Sequence, residues 1–401
     1  MAEALEKALP ELREDAKFES LENMGSETLI TQLQQAVPVI TKERETSGVM
    51  VAFQDATSSQ LQTFLAQQAA AKGKLDQANP GGLEAKFDSK DMLGWFGSFF
   101  TWWKKIKPHA WPIGDAKPAD LPDVATVGLL ADWGTGMYGA IPCAQNIAAA
   151  KPYLVMHLGD VYYSGESSEM QKRFLDVWPK VEGAINRGLN GNHEMYTGGQ
   201  AYFDLALKQF GQSASYFAFQ NKNWLLVALD TAYQDQDLFG DQVSWLDALI
   251  SQAGERKIVL FSHHQPYSLI DTPAARVVAK LQKYLDAKRI YAWYFGHEHR
   301  CLVYDLHPTW SLLGRCIGHS GFPEFRKAEW GPTPAKATWL KFDSKGAVPA
   351  AVLLDGPNSY IKGHESEYLP HGYVTLEFDN QKLRETFYLA DGTSLKTQEI
   401  A

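Results

Sequence analysis

Six short apolar runs recur between residues 124 and 295, and the residues that follow them constrain the fold more than any global property of the chain. The runs are VATVGLLA (124–131), YLVMHL (153–158), AINRGLN (184–190), WLLVALD (224–230), KIVLFS (257–262) and IYAWYF (290–295). Stretches with helical spacing lie between them, including 241–253 and 272–287. Apolar runs too short for helices, alternating with helical segments, predict buried strands in an α/β layered protein. Roughly 336–395 contains GYVTLEFDNQKLRETFYL, whose alternation predicts antiparallel strands that close the fold.

In layered α/β proteins the site lies beyond the carboxyl ends of the strands. After 124–131 come Asp132, Trp133 and Gly134; after 153–158 come Gly159, Asp160, Val161, Tyr162 and Tyr163. Gly191, Asn192, His193 and Glu194 follow 184–190. His263 and His264 follow 257–262, and Gly296, His297, Glu298 and His299 follow 290–295. Alone, an Asp after a strand reads as a helix cap, Gly-Asn-His as a turn, and His-x-His as surface decoration. Together they gather two carboxylates, an amide oxygen, a phenol and at least three imidazoles where a sheet would bring them to one place. Without a cation such a cluster would leave polar groups unpaired at a heavy desolvation cost. Mixed carboxylate and imidazole ligands suit iron, zinc or manganese better than calcium. About seven ligands exceed what one ion takes, so the pattern predicts a two-metal site.

The order Asp-x-Gly, Gly-Asp-x-x-Tyr, Gly-Asn-His-Glu, His and Gly-His-x-His resembles the calcineurin-like metallophosphoesterases, and within them the purple acid phosphatase branch. The general superfamily carries Asp-x-His at the first motif, where this chain has Gly134; a tyrosine replaces the lost ligand, and Tyr163 stands at the matching place. The motifs span 132–299, and residues 1–115 match nothing that carries over. The resemblance implies a four-layer β-sandwich flanked by helices. It implies that Asp160 bridges two metals. Asp132, Tyr163 and His299 would complete a ferric site. Asn192, His297 and one histidine of the 263–264 pair would complete a site for divalent Fe, Zn or Mn. Strand-end alignment favours His263 as that ligand, with His264 facing substrate; the His-x-Pro spacing to Pro266 favours His264.

The resemblance implies a phosphate ester substrate, above all a phosphomonoester, attacked by a metal-bound hydroxide. His193 is the expected general acid and phosphate contact, with Glu194 as its orienting partner. Tyr267, His319 and Arg326 are further candidates for the substrate rim. A phosphodiesterase acting on nucleotides or phospholipid headgroups shares the same motifs. A non-enzymatic membrane- or partner-binding protein on a degenerate scaffold is the reading from a different class, and the intact ligand set argues against it.

The chain has 401 residues, which suggests a catalytic domain over 120–395 and a mostly helical N-terminal extension over 1–115 of unknown role. Within the extension, SSQLQTFLAQQAAAKGKLDQ (58–77) reads as a helix. MLGWFGSFFTWWKKIKPHAW (92–111) crowds Trp95, Phe96, Phe99, Phe100, Trp102 and Trp103 ahead of Lys104, Lys105 and Lys107. Such a segment either docks on the main domain or makes weak membrane-surface contact through 92–107. The formal net charge of −9 speaks against a nucleic-acid partner held by bulk electrostatics. Three cysteines without CxxC spacing predict reduced thiols rather than a disulfide framework or a structural zinc site. The opening MAEALEKALPELREDAKFES has no apolar run, and no stretch of about 20 apolar residues follows, so the expected location is cytoplasmic.

Overall fold

The computed structural model describes residues 59, 107–111 and 116–401. The helix expected over 58–77 and the aromatic segment 92–107 lie outside the described residues, Ser59 and Lys107 apart. The chain divides into two compact units, one of Met1–Pro108 with Tyr196–Gly198, the other of His109–Met195 with Gly199–Ala401. The second unit carries all that follows.

Its strands are β1 (Ala119–Asp120), β2 (Val124–Leu130), β3 (Leu154–His157), β4 (Ile185–Gly188), β5 (Phe217–Gln220), β6 (Trp224–Leu229), β7 (Lys257–Ser262) and β8 (Ile290–Phe295). They continue with β9 (Cys301–Tyr304), β10 (Leu313–Ile317), β11 (Thr338–Phe342), β12 (Ala351–Asp355), β13 (Gly372–Asp379), β14 (Lys382–Leu389) and β15 (Ser394–Glu399). Helices α1 (Ala140–Ala149), α2 (Gln242–Gln252) and α3 (Ala275–Asp286) are the three longest among the described residues. None is long and apolar enough to cross a membrane.

The strands form a nine-stranded sheet, in the order β1-β5-β6-β7-β8-β10-β9-β12-β11, and a six-stranded sheet, in the order β15-β14-β13-β2-β3-β4. The pairs β2–β3, β3–β4, β6–β7 and β7–β8 are parallel. Each sheet therefore has a run of strands whose carboxyl ends share one edge. Alternation places Val127, Leu129 and Met156 of one sheet in a single buried cluster with Leu226, Val259 and Phe261 of the other. The outer face of the larger sheet is covered by α2 and α3 through Leu246, Val277 and Leu281, and that of the smaller by α1 through Cys143, Ala144 and Ile147. This is the four-layer α/β arrangement expected from the sequence.

A buried polar link crosses the apolar interface. The Arg315 Nε of β10 donates to Glu385 Oε1 of β14 at 2.8 Å, and the Tyr294 hydroxyl of β8 donates to Glu385 Oε2 at 2.6 Å. Both charged side chains are almost wholly buried. Removing one partner would strand the other, at about 3–5 kcal/mol.

The six apolar runs are all strands, within two residues of their expected ends. The antiparallel closing region is present, yet it is divided: β11 and β12 extend the nine-stranded sheet while β13–β15 complete the other. The short strands β5, β9 and β10 were not anticipated. Their four- and five-residue runs, such as CLVY and LGRCI, carry little periodicity of their own.

Candidate metal centre

The carboxyl ends of β2, β3, β4, β7 and β8 converge between the two sheets. Four of the residues they deliver have left-handed backbones: Asp132 (φ 55°), Asp160 (φ 74°), His297 (φ 71°) and His299 (φ 52°). Such backbones are costly for non-glycine residues and persist where the surroundings impose them, commonly at functional sites. The turns are fastened by backbone hydrogen bonds, Asp132 N to the Gly159 carbonyl at 2.9 Å and Gly296 N to the His263 carbonyl at 3.0 Å. At Gly191 a Cβ would collide with Asp160 Oδ1, and at Gly296 with Asp132 Oδ2, so both strand ends need glycine to approach the carboxylates.

Two groups of side chains share Asp160. In the first, His299 Nε2 lies 2.6 Å from the Tyr162 hydroxyl, 3.5 Å from Asp132 Oδ1 and 4.0 Å from Asp160 Oδ2. Tyr162 also donates to Asp160 Oδ2 at 3.0 Å. In the second, Asn192 Oδ1 lies 3.0 Å from both His263 Nε2 and His297 Nδ1. Those two nitrogens are 3.2 Å apart, and His263 Nε2 is 3.4 Å from Asp160 Oδ2. Potential ligand atoms of Asp132, Asp160 and His263 lie within 4.8 Å of one another, as do those of His263, His264 and His297.

Of the two adjacent tyrosines, Tyr162 and not the expected Tyr163 has its hydroxyl bonded within the first group. The hydroxyl that meets Asp160 and His299 belongs to Tyr162. Tyr163 presents its carbonyl to His193 Nδ1 at 2.6 Å, and the Arg173 guanidinium stands 5.5 Å from the centre of its ring. Motif spacing alone does not separate adjacent tyrosines, both of which are buried.

Glu194 also takes another place than expected. The partner of His193 Nδ1 is the Tyr163 carbonyl. The Glu194 carboxylate instead accepts the backbone N–H groups of Gly191 (2.8 Å), Val161 (2.9 Å) and Asp160 (3.1 Å). It ties the loop after β3 to the loop after β4. His193 N in turn donates to Asp160 Oδ1 at 3.1 Å, and its ring centroid lies 3.8 Å from that of Tyr162.

Of the histidine pair, His263 is the residue in contact with Asp160 and Asn192. Its orientation is fixed by Nδ1 donating to the Leu158 carbonyl at 2.9 Å, the kind of outer partner that sets a ligand tautomer. His264 stands alongside, its ring 4.7 Å from that of His297. Its Nδ1 is 2.9 Å from Thr231 Oγ1, and its buried Nε2 has no hydrogen-bond partner among the described residues. Thr231 was missed from sequence, although the run WLLVALD ends directly before it: the end of β6 is a sixth contributor.

The three rim candidates are buried or paired within the fold. Tyr267 is buried among Tyr304, His307 and Trp310. His319 is buried, with Nδ1 donating to the Ile317 carbonyl at 3.0 Å. Arg326 is engaged by both oxygens of Asp355, at 2.7 and 2.9 Å. A lone Tyr, His or Arg has no periodicity that separates such structural uses from catalysis.

The electrostatics are those of a place built for positive charge. Burial pushes Asp132 up to about 6, with Asp160 adding to it and His299 and His263 opposing. Burial also works against ionised Asp160, but His263, His193 and hydrogen bonds from His263 and His299 hold it well below the usual carboxylate range. Burial disfavours charge on His263 and His299, yet neighbouring carboxylates, Asp160 foremost, raise each to about 9. Burial and positive neighbours hold His264 and His297 well below the ordinary value, and burial takes His193 to about 4. Two imidazoliums thus balance buried carboxylates where cations could stand in their place. Donor chemistry, the sharing of Asp160 by two groups and the glycine clearances all fit a pair of metal ions.

Residues 125–301 match the family model for calcineurin-like phosphoesterases. No curated protein matches the chain. Similar solved structures include GAP50, the anchor in the inner membrane complex of Plasmodium, at 12% identity and a TM-score of 0.46, covering 69% of this chain and 88% of that one. A dimetal phosphatase from Danio rerio is 14% identical with a TM-score of 0.41, covering 69% and 98%. Vacuolar protein sorting 29 from Cryptosporidium parvum is 12% identical with a TM-score of 0.32, covering 69% and 97%.

Proposed function

We propose, from the premise that residues 125–301 belong to the calcineurin-like phosphoesterases, that the chain is a purple acid phosphatase-like phosphomonoesterase with one ferric and one divalent ion. The observation that carries the reading is the sharing of buried Asp160 by two ligand groups at the carboxyl ends of strands from both sheets. Asp132, Tyr162 and His299 would hold one ion; Asn192, His263 and His297 would hold the other, with Asp160 between them. Bound there, two such cations supply Lewis acidity, acidifying water and neutralising phosphate oxygens as charge develops.

The chain's own residues do the rest. His193, fixed through Nδ1 by the Tyr163 carbonyl, has Nε2 as its remaining ring nitrogen for the leaving-group oxygen. Its burial keeps it neutral, so the phosphate dianion must raise its pKa before Nε2 can carry the proton. His264, fixed through Nδ1 by Thr231, offers Nε2 to a phosphate oxygen. Glu194 keeps the turns bearing Asp160 and Asn192 at fixed separation.

Metal analysis, a visible absorption spectrum and a panel of monoesters and diesters test the reading. Expected are about two transition-metal ions per chain including iron, a tyrosinate-to-iron band and faster turnover of monoesters. Preference for diesters would move the activity to the phosphodiesterase branch. A protein that takes up no transition metal would end the reading altogether.

A further inference from the structure

We propose that the rim of this centre selects phosphate esters whose alcohol carries a positive charge, with Asp235 and Glu324 as the selecting residues. The proposal rests on the phosphoesterase reading and names the substrate class for the same site. Asp235 lies on the loop after β6, beyond Thr231. Its Oδ1 is 3.9 Å from His264 Nε2, and its side chain is 71% exposed. Glu324 reaches the opposite group: its Oε2 is 3.6 Å from His299 Nδ1, with the side chain 23% exposed. A carboxylate therefore stands beside each of the two ligand groups, that of Asp235 open to water and that of Glu324 paired with Arg300.

The inner wall between them contains a buried imidazole nitrogen, His264 Nε2, with no hydrogen-bond partner among the described residues. That atom suits a phosphate oxygen, so the ester's phosphate faces inward and its alcohol passes the carboxylates. Among the described residues no guanidinium pairs with the Asp235 carboxylate: Arg276 is bonded to the Asp235 backbone carbonyl, Arg300 and Glu324 compensate each other, Nη2 to Oε1 at 2.8 Å, and Arg173 stands against the Tyr163 ring. A second anionic substituent on the substrate would meet like charge. An ammonium passing Asp235 would meet opposite charge, and an exposed pair of that kind contributes about a few-fold in affinity.

The test compares phosphocholine with 3,3-dimethylbutyl phosphate, which has the same shape with carbon in place of nitrogen, on the metal-loaded protein. Phosphocholine should have the higher kcat/KM by about fivefold at low ionic strength, and the advantage should shrink as salt screens it. Asp235→Asn and Glu324→Gln should each lower that ratio, and Asp235→Lys should invert it. Asp235 is exposed enough that its replacements fold, and a ratio is unaffected by a common loss of activity. Calorimetric titration of both compounds reads the same preference without turnover. Equal binding and equal kcat/KM for the two compounds, or a ratio that ignores both Asp235 substitutions, would overturn the proposal. A binding preference for phosphocholine with no hydrolysis of any ester, para-nitrophenyl phosphate included, would leave the rim standing and remove the phosphoesterase reading.

Discussion

At the scale of single residues, the adjacent tyrosines give the sharpest test. The hydroxyl of Tyr162 lies 2.6 Å from His299 Nε2 and donates to Asp160. If an iron ion there takes a phenolate ligand, Tyr162→Phe should abolish the visible charge-transfer band, while Tyr163→Phe should leave it within a few nanometres of its position. The opposite pattern, read from the spectra of the two oxidised variants, would return the ligand role to Tyr163, where the motif spacing puts it. His193 makes a second case. Its Nδ1 is committed to a carbonyl, so any acid role belongs to Nε2. His193→Ala should retain both metals and lose about 10²–10⁴ in turnover, the usual worth of a general acid. The loss should be smaller for nitrophenyl esters, whose leaving group needs little protonation. An equal loss across alkyl and nitrophenyl esters would make His193 a phosphate contact only.

At the scale of elements, the centre is a matter of how strand ends are held together, and Glu194 does much of that. Its carboxylate collects three backbone N–H groups from the loops after β3 and β4. Glu194→Ala should leave those donors buried without an acceptor, at about 1–3 kcal/mol each. Denaturant unfolding of the metal-free variant should therefore show a loss of at least about 3 kcal/mol. Unchanged stability with only kcat reduced would instead support the sequence reading of Glu194 as an orienting partner for His193. That contrast shows what was legible in advance. Strand positions followed from short apolar runs alternating with helical segments, and the residues after each run could be named because chain direction alone puts them at one edge. Side-chain direction past a strand end could not be read: the hydroxyl that meets Asp160 is that of Tyr162, and the Glu194 carboxylate collects backbone N–H groups. Long-range pairing was equally hidden. Nothing in the 336–395 alternation tells which sheet receives β11 and β12, since both offer an antiparallel edge of similar pattern.

At the scale of the whole molecule, the centre sits where the two sheets meet, so its charge state bears on the stability of the entire fold. In the metal-free protein the buried carboxylates are balanced by His263 and His299, each raised from 6.5 to about 9. A raised histidine contributes stability that is fully present below its unfolded value of 6.5 and is lost as pH climbs through 9. Glu194, pushed up by burial to about 8, acts in the same direction: the fold favours its neutral form, and stability falls as it ionises. Asp160, held low, works the other way, but its contribution is lost only as pH falls below its ordinary value of 3.8. Between pH 6.5 and 9 the shifts therefore add. The melting temperature of chelator-treated protein should drop across that window by on the order of 5 °C or more. Metal ions replace the imidazolium protons and remove this dependence, so the loaded protein should show a nearly flat profile over the same range. The same exchange, with the phenol proton of Tyr162 added to those of His263 and His299, predicts that metal uptake near pH 7.5 releases about three protons per chain, measurable by calorimetry in buffers of different ionisation enthalpy. A metal-free melting temperature that is level from pH 6.5 to 9, together with uptake that releases no protons, would mean that His263 and His299 are neutral before metal arrives. The buried carboxylates would then have to be balanced in some other way.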